Sequence, residues 1–99
     1  AKSPEIKVEC SEELKFQIIS NIIIQLKNKY INDTLNLIDG VRVDLKIGWY
    51  LIRASNTENS IIVRIDGNTE KNLVILFEEV KALLKTQNLQ INYKLSRYK

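Results

Sequence analysis

The run Leu35-Asn36-Leu37-Ile38-Asp39-Gly40-Val41-Arg42-Val43-Asp44-Leu45-Lys46-Ile47-Gly48-Trp49-Tyr50-Leu51-Ile52-Arg53 decides the fold. Val41, Val43 and Leu45 alternate with Arg42, Asp44 and Lys46, the period of two that marks a strand with one buried face. Before it, Leu35 to Ile38 reads as a strand, and Asp39-Gly40 is a dipeptide suited to the positive φ values of a tight hairpin turn. Gly48 marks the next turn, and Trp49 to Arg53 forms a third strand. The centre of the chain is thus an antiparallel meander with one apolar face to cover.

Reading outward from it, a polar loop follows Arg53, and Ile61 to Ile65 is then apolar except for Arg64, as in a fourth strand of the same sheet. Gly67-Asn68 breaks that strand. Thr69 is placed to cap a helix with Glu70 at its first position, and the helix ends near Gln87. Its buried stripe is Leu73, Leu76, Phe77, Val80, Leu83 and Leu84, with Lys81 and Lys85 on the other face. Upstream, Ile6 and Val8 alternate with charged residues over Glu5 to Glu9, a half-buried strand that begins after Pro4. Ser11 has the chemistry of an N-cap, with Glu12 and Glu13 in the first turn. Leu14, Ile18, Ile22 and Leu26, widened by Ile19 and Ile23, give a helix to about Asn28. Its isoleucines are mediocre helix formers, so packing must hold it. The order β-α-β-β-β-β-α predicts an α+β fold, a two-layer sandwich in which two helices cover a mainly antiparallel sheet. Residues 1–88 form the domain. Residues 89–99 are a basic tail, in which Ile91, Tyr93 and Leu95 alternate as in a short strand.

The 99 residues suffice for one domain with a small core. Hydrophobic residues at 44% and charged residues at 27% fit a globular chain rather than a disordered one. The net charge of +3 is set by the tail, because without Lys94, Arg97 and Lys99 the 15 basic residues fall to the number of acidic ones, 12. That balance argues against a nucleic-acid surface, which gathers basic residues on one face. One cysteine, Cys10, excludes an internal disulfide and reads as a buried structural thiol in a reducing compartment. No run is long enough for a transmembrane helix and no signal-peptide pattern opens the chain, so it reads as cytoplasmic with no membrane partner. Its first residue, Ala1, suits a processed or excised segment.

Catalytic chemistry is sparse. There is no histidine, which removes the commonest general base and every histidine-bearing triad or zinc site. A single cysteine builds no thiolate cluster, and Gly40, Gly48 and Gly67 form no phosphate-cradling fingerprint. Asp33, Asp39, Asp44 and Asp66 fall at turns or exposed strand positions. Trp49 and Tyr50, being adjacent, point to opposite faces of a strand and make no base-stacking platform. No residue is assigned as catalytic and none as a metal ligand.

The segment Arg53-Ala54-Ser55-Asn56-Thr57-Glu58-Asn59-Ser60 is longer than a hairpin needs. It gathers a guanidinium, three hydroxyls, amide side chains and several free backbone N–H groups. Composition alone makes it first a run of good turn formers, and second an anion site. Arginine can grip two phosphate oxygens, hydroxyls add donors, and successive N–H groups form a nest.

A resemblance bears on that choice. Gly48-Trp49-Tyr50-Leu51-Ile52-Arg53-Ala54-Ser55-Asn56-Thr57-Glu58 is similar to the phosphate-binding loop segment of the α-D-phosphohexomutases, the phosphomannomutase/phosphoglucomutase family. Asp39-Gly40-Val41-Arg42-Val43 resembles that family's preceding hairpin, and Ser3-Pro4-Glu5-Ile6 resembles the lead-in to its final domain. Residues 61–64 and the Thr69-Glu70 helix complete a likeness over about residues 3–86. The resemblance implies the C-terminal domain of a four-domain enzyme of the isomerase class, an intramolecular phosphotransferase that interconverts hexose 1-phosphate and 6-phosphate. In such an enzyme a phosphoserine in the first domain donates the phosphoryl group, the second domain holds Mg²⁺, and the third reads the sugar. The last grips the phosphate that is not being transferred. Carried over, that grip falls to Arg53, Ser55, Asn56 and Thr57, with a hexose phosphate and the other domains as partners and no cofactor in this domain. The Ser-Asn-Thr run looks more like the phosphomannomutase/phosphoglucomutase branch than the Ser-Gly-Thr form of phosphoglucosamine mutases. Asn59 departs from the proline common at that position, and the tail from Asn88 is only loosely similar. The alternative is a stand-alone interaction module whose basic tail meets an acidic partner or nucleic acid. Trp49 is read as core or loop support, and Arg42 as solvated or paired. Arg64 could face the cleft but is likewise read as solvated or paired. Tyr30, Tyr93 and Tyr98 are unassigned.

Overall fold

The alternation of the meander is realised strand by strand in the computed structural model, which describes residues 1–93. Five strands, β1 (Ile6–Glu9), β2 (Leu35–Asn36), β3 (Val41–Leu45), β4 (Gly48–Ala54) and β5 (Ser60–Gly67), form one sheet in the order β1-β5-β4-β3-β2. Every pairing is antiparallel, including the central one in which Ile52 faces Val63 and Arg53 faces Ile62. Helices α1 (Lys15–Lys29) and α2 (Glu70–Lys85) connect or follow the strands as expected, with one added 3-10 turn at Asn32–Thr34.

Period-two alternation sends Ile6, Val8, Val41, Val43, Tyr50, Ile52, Ile61, Val63 and Ile65 to one face, where all are buried. Ile18, Ile19, Ile22 and Leu26 from α1 join the same cluster, as does the whole expected α2 stripe from Leu73 to Leu84. Both helices therefore share one sheet face, and the fold is the two-layer α+β sandwich. The other, outer face carries Lys7, Trp49, Leu51, Arg53 and Arg64.

The structure corrects several local readings. β2 stops at Asn36 instead of running to Ile38, because the Asn36 side-chain oxygen accepts the Ile38 N–H at 3.0 Å and turns the chain out of the ladder. The connection to β3 is then the loop 37–40, in which Gly40 has φ +70° and Asp39 is not left-handed. The start of α1 also differs. Ser11 accepts the Leu14 N–H through both its hydroxyl and its carbonyl, so residues 12–14 form a separate turn and the helix begins at Lys15. Leu14 is displaced from the buried stripe and is 56% exposed, while Lys15 takes the stripe position at 1%. Trp49 lies on the outer face, not in the core, with the Arg42 guanidinium 4.2 Å above its ring. Arg42 is paired, with Asp44 at 3.1 Å.

At the C-terminal end, residues 91–93 are not a strand, although Ile91 is buried in the core. Tyr93 meets Phe77 edge-on at 6.4 Å. Leu95 and the basic residues Lys94, Arg97 and Lys99, with Tyr98, lie outside the described residues. Cys10 is half-buried at the rim of the core, and burial pushes its thiol pKa up.

Candidate anion-binding site

β4 positions Arg53. Because Tyr50, Ile52 and Ala54 point into the core, Arg53 must project from the outer face at the last turn of the strand's pleat. Its side chain is 28% exposed, with Nε 3.8 Å from Asp39 and Nη1 donating to the Ala54 carbonyl at 3.4 Å. Both contacts are long, and Nη2 makes no hydrogen bond among the described residues. The guanidinium keeps donors for a ligand.

The loop beyond it is tightly organised. The Ser55 N–H donates to the Ser60 carbonyl at 3.0 Å, closing the loop at its base. The Ser55 hydroxyl accepts the N–H groups of Thr57 at 3.3 Å and Glu58 at 3.0 Å. Ser55 is thereby buried, while Asn56, Thr57, Glu58 and Asn59 are exposed. Glu58 is drawn aside to Lys7 on β1 at 2.8 Å, which neutralises the loop's own carboxylate. The Asn59 carbonyl accepts the Cys10 N–H at 3.0 Å.

Of the four residues picked out by sequence, the structure gathers all on this strand end and loop but in different settings. Arg53, Asn56 and Thr57 are accessible. Ser55 is not a free donor on the surface: its oxygen organises the loop, and its proton is what remains to give. The expected supply of backbone N–H groups is smaller than composition suggested, since those of Ser55, Thr57 and Glu58 are used internally. Asn56 and Asn59 retain theirs, with no acceptor among the described residues.

Sequence reading missed Lys15. Its ammonium donates to the Ser55 carbonyl at 2.7 Å and the Glu58 carbonyl at 3.1 Å, and pairs with Glu12 at 2.7 Å. The signal was present: Lys15 precedes Ile18, Ile19, Ile22 and Leu26 at helical spacing, so it occupies the apolar stripe. Two further groups belong to the surroundings. Arg64 lies on the same face as Arg53, in the neighbouring row opposite Leu51, and is paired with Glu5 at 2.8 Å. That hydrogen bond holds the Glu5 carboxyl below its usual range. The Ser60 hydroxyl is buried without a partner among the described residues. It borders a depression of about 560 Å³ lined by Lys7, Glu9, Cys10, Glu58, Asn59 and Ser60, on the β1 side of the loop.

Arg53 and the Asn56 and Asn59 N–H groups thus leave donors unengaged among the described residues, which suits an oxyanion. A cation is not served in the same way. Among the described residues no group of three or more His, Cys, Asp or Glu could hold a metal ion. No helix among them is long and apolar enough to cross a membrane.

Comparison with known proteins agrees with the fold. Residues 5–83 match the family model described as phosphoglucomutase/phosphomannomutase, C-terminal domain. Over 85 residues the chain is 35% identical to a phosphomannomutase/phosphoglucomutase of Pseudomonas aeruginosa, covering 86% of this chain and 17% of that protein. The corresponding protein of Pseudomonas putida is 34% identical over 93 residues, 94% of this chain and 19% of its own length. A probable phosphoglucosamine mutase of Methanopyrus kandleri is 38% identical over 64 residues, 65% of this chain and 14% of that protein. A phosphoglucomutase/phosphomannomutase family protein of Burkholderia thailandensis shares the fold, with a TM-score of 0.67 at 21% identity over 87% of this chain and 17% of that one. The chain thus spans under a fifth of the length of these relatives. It belongs to the phosphoglucomutase/phosphomannomutase C-terminal domain family.

Proposed function

We propose that this chain is the substrate-phosphate-binding domain of a phosphohexomutase that interconverts hexose 1-phosphate and hexose 6-phosphate. Its task is to grip the phosphate that is not being transferred. The observation that carries this reading is the end of β4 and the loop after it, where Arg53 keeps spare donors and is followed by the exposed Asn56 and Thr57. Ser55 stabilises that arrangement from beneath and supplies at most one proton. The phosphoryl transfer, its phosphoserine and its Mg²⁺ belong to the rest of such an enzyme, and this chain by itself turns over no sugar phosphate.

The chemistry favours such a division. A sugar bearing two phosphates must present first one and then the other to the reacting centre. Holding the remote phosphate converts binding energy into alignment of the reacting end, which raises the rate of the chemical step and not merely occupancy. Relatives named as phosphomannomutase/phosphoglucomutase and as phosphoglucosamine mutase both match this chain. A phosphate grip common to different sugars accounts for that without any sugar contact on this domain.

NMR titration of the labelled chain with inorganic phosphate, glucose 1-phosphate and glucose 6-phosphate tests the reading. Shifts should gather on residues 53–59, with a Kd of ~1 mM or weaker, since one phosphate on an open loop offers few contacts. Arg53→Ala should abolish the response and leave the rest of the spectrum in place. An Arg53→Ala variant that binds like the wild type would overturn the assignment.

A further inference from the structure

The buried ammonium beneath the loop does more than fill the core. Lys15 is 1% exposed, and its three N–H donors find three acceptors: the carbonyls of Ser55 and Glu58 and the carboxylate of Glu12. Two of those acceptors are main-chain carbonyls of the anion loop, at Ser55 and Glu58. Every peptide bond among the described residues is trans, and a trans peptide is planar. The C=O of one residue and the N–H of the next therefore point in opposite directions. Pulling the Ser55 carbonyl inward aims the Asn56 N–H outward, and pulling the Glu58 carbonyl inward aims the Asn59 N–H outward. These are the two loop amides that have no acceptor among the described residues. The remaining amides, of Ser55, Thr57 and Glu58, are consumed inside the loop.

We propose that Lys15 is the positioning residue of the anion loop, and that it makes the backbone N–H groups of Asn56 and Asn59 its main-chain phosphate donors. The donor assignment rests on the phosphate-binding reading above; the positioning role does not. A flipped peptide at either site would present a carbonyl oxygen to the anion, replacing attraction with repulsion. Lys15 prevents both flips from the far side of the loop. It also keeps a positive charge under the site, partly offset by Glu12, which is itself 61% exposed at its side chain.

The test uses the ¹⁵N-labelled chain in two arms. Residual dipolar couplings in a dilute aligning medium read the N–H directions of Asn56 and Asn59 without any ligand. Titration with inorganic phosphate then reads their use. In Lys15→Met, which keeps the unbranched stem and removes the donors, the couplings of those two amides should change while those of β4 and β5 hold. The phosphate response should weaken by about tenfold or more, as expected when donors to a charged group are misaimed. Unchanged couplings at Asn56 and Asn59 in the variant would overturn the positioning role. A wild-type chain silent to phosphate would overturn the loop's function and the donor assignment, while the couplings still decide what Lys15 does. Should Lys15→Met not give a folded spectrum, Lys15→Gln, whose shorter amide cannot hold both carbonyls at once, is used instead, and unchanged couplings at both amides would again overturn the positioning role.

Discussion

Gly40 shows how closely single residues set this site. Its φ of +70° lies in the region that L side chains rarely adopt, and a Cβ there would stand 2.6 Å from the Arg53 Cβ and collide with the Ile52 carbonyl. The loop 37–40 can therefore lie against β4, bringing Asp39 beside the guanidinium, only with glycine at that position. Gly40→Ala should lower stability by about 1–3 kcal/mol, read by denaturant unfolding, and shift the Arg53 resonances. A loss under about 0.5 kcal/mol would mean that the loop yields easily and does not fix Arg53. Gly40 was legible as a turn residue because only a short list of residues tolerates such φ values. What it touches was not, since Arg53 lies thirteen positions further on and meets it only through the ladder. Lys15 is the sharper case. A lysine on an apolar stripe is a visible anomaly, yet two of its three acceptors lie 40 and 43 residues away and are backbone oxygens, which any sequence supplies.

The two helices make a natural experiment in how an element begins. α2 starts with a side-chain cap: the Thr69 hydroxyl accepts the Asn72 N–H at 3.1 Å, and Glu70 stands in the first turn. α1 has no side-chain cap, and its opening is held by Ser11 one turn earlier and by the Lys15 ammonium. Thr69→Ala should cost about 1 kcal/mol, seen as a lower melting temperature with an unchanged phosphate response; an unaltered melting temperature would show that tertiary packing alone sets the start of α2. The stripes of both helices and the alternation of β3, β4 and β5 were readable because burial imposes a period on every residue. The ends of elements were not. At Ser11 and Asn36 a short polar side chain competes with the backbone for hydrogen bonds, and the winner depends on where the chain goes next. The anion loop divides along the same line: its length and its arginine, hydroxyls and amides were visible, whereas the direction of each peptide plane was fixed by contacts from β5 and α1.

At the scale of the molecule, one carboxylate ties the two layers together. Glu79 on α2 accepts hydrogen bonds from Tyr30 at 2.8 and 2.9 Å, from Lys29 at 2.9 Å and from the Tyr50 hydroxyl. Lys29 and Tyr30 stand at the end of α1, and Tyr50 belongs to β4, so a single side chain joins both helices to the sheet. Tyr50 and Tyr30 remain donors at all ordinary pH values, because burial and the neighbouring carboxylate push both phenols up. For Glu79 itself burial acts to raise the pKa, but the hydrogen bonds from Tyr50, Lys29 and Tyr30 outweigh it and leave the carboxyl below 4.5, its unperturbed value. The sign of the pH dependence follows. A carboxyl lowered in the folded state contributes its full stability above the unfolded pKa, and loses it as pH falls through the folded one. Glu79→Gln should therefore cost about 1–3 kcal/mol at neutral pH, because a carboxamide offers one acceptor oxygen where the hydrogen bonds of three donors, Lys29, Tyr30 and Tyr50, were received. The gap between wild type and variant should hold from pH 7 to about 5 and close as the pH drops below 4.5. Exposed pairs such as Glu5 with Arg64 titrate alike in both chains and cancel in the difference. Thermal melts of the two proteins across that range decide the point: parallel curves would show that the clamp does not depend on the charge of Glu79, whereas convergence in acid would place the tie between layers on that one ionised group.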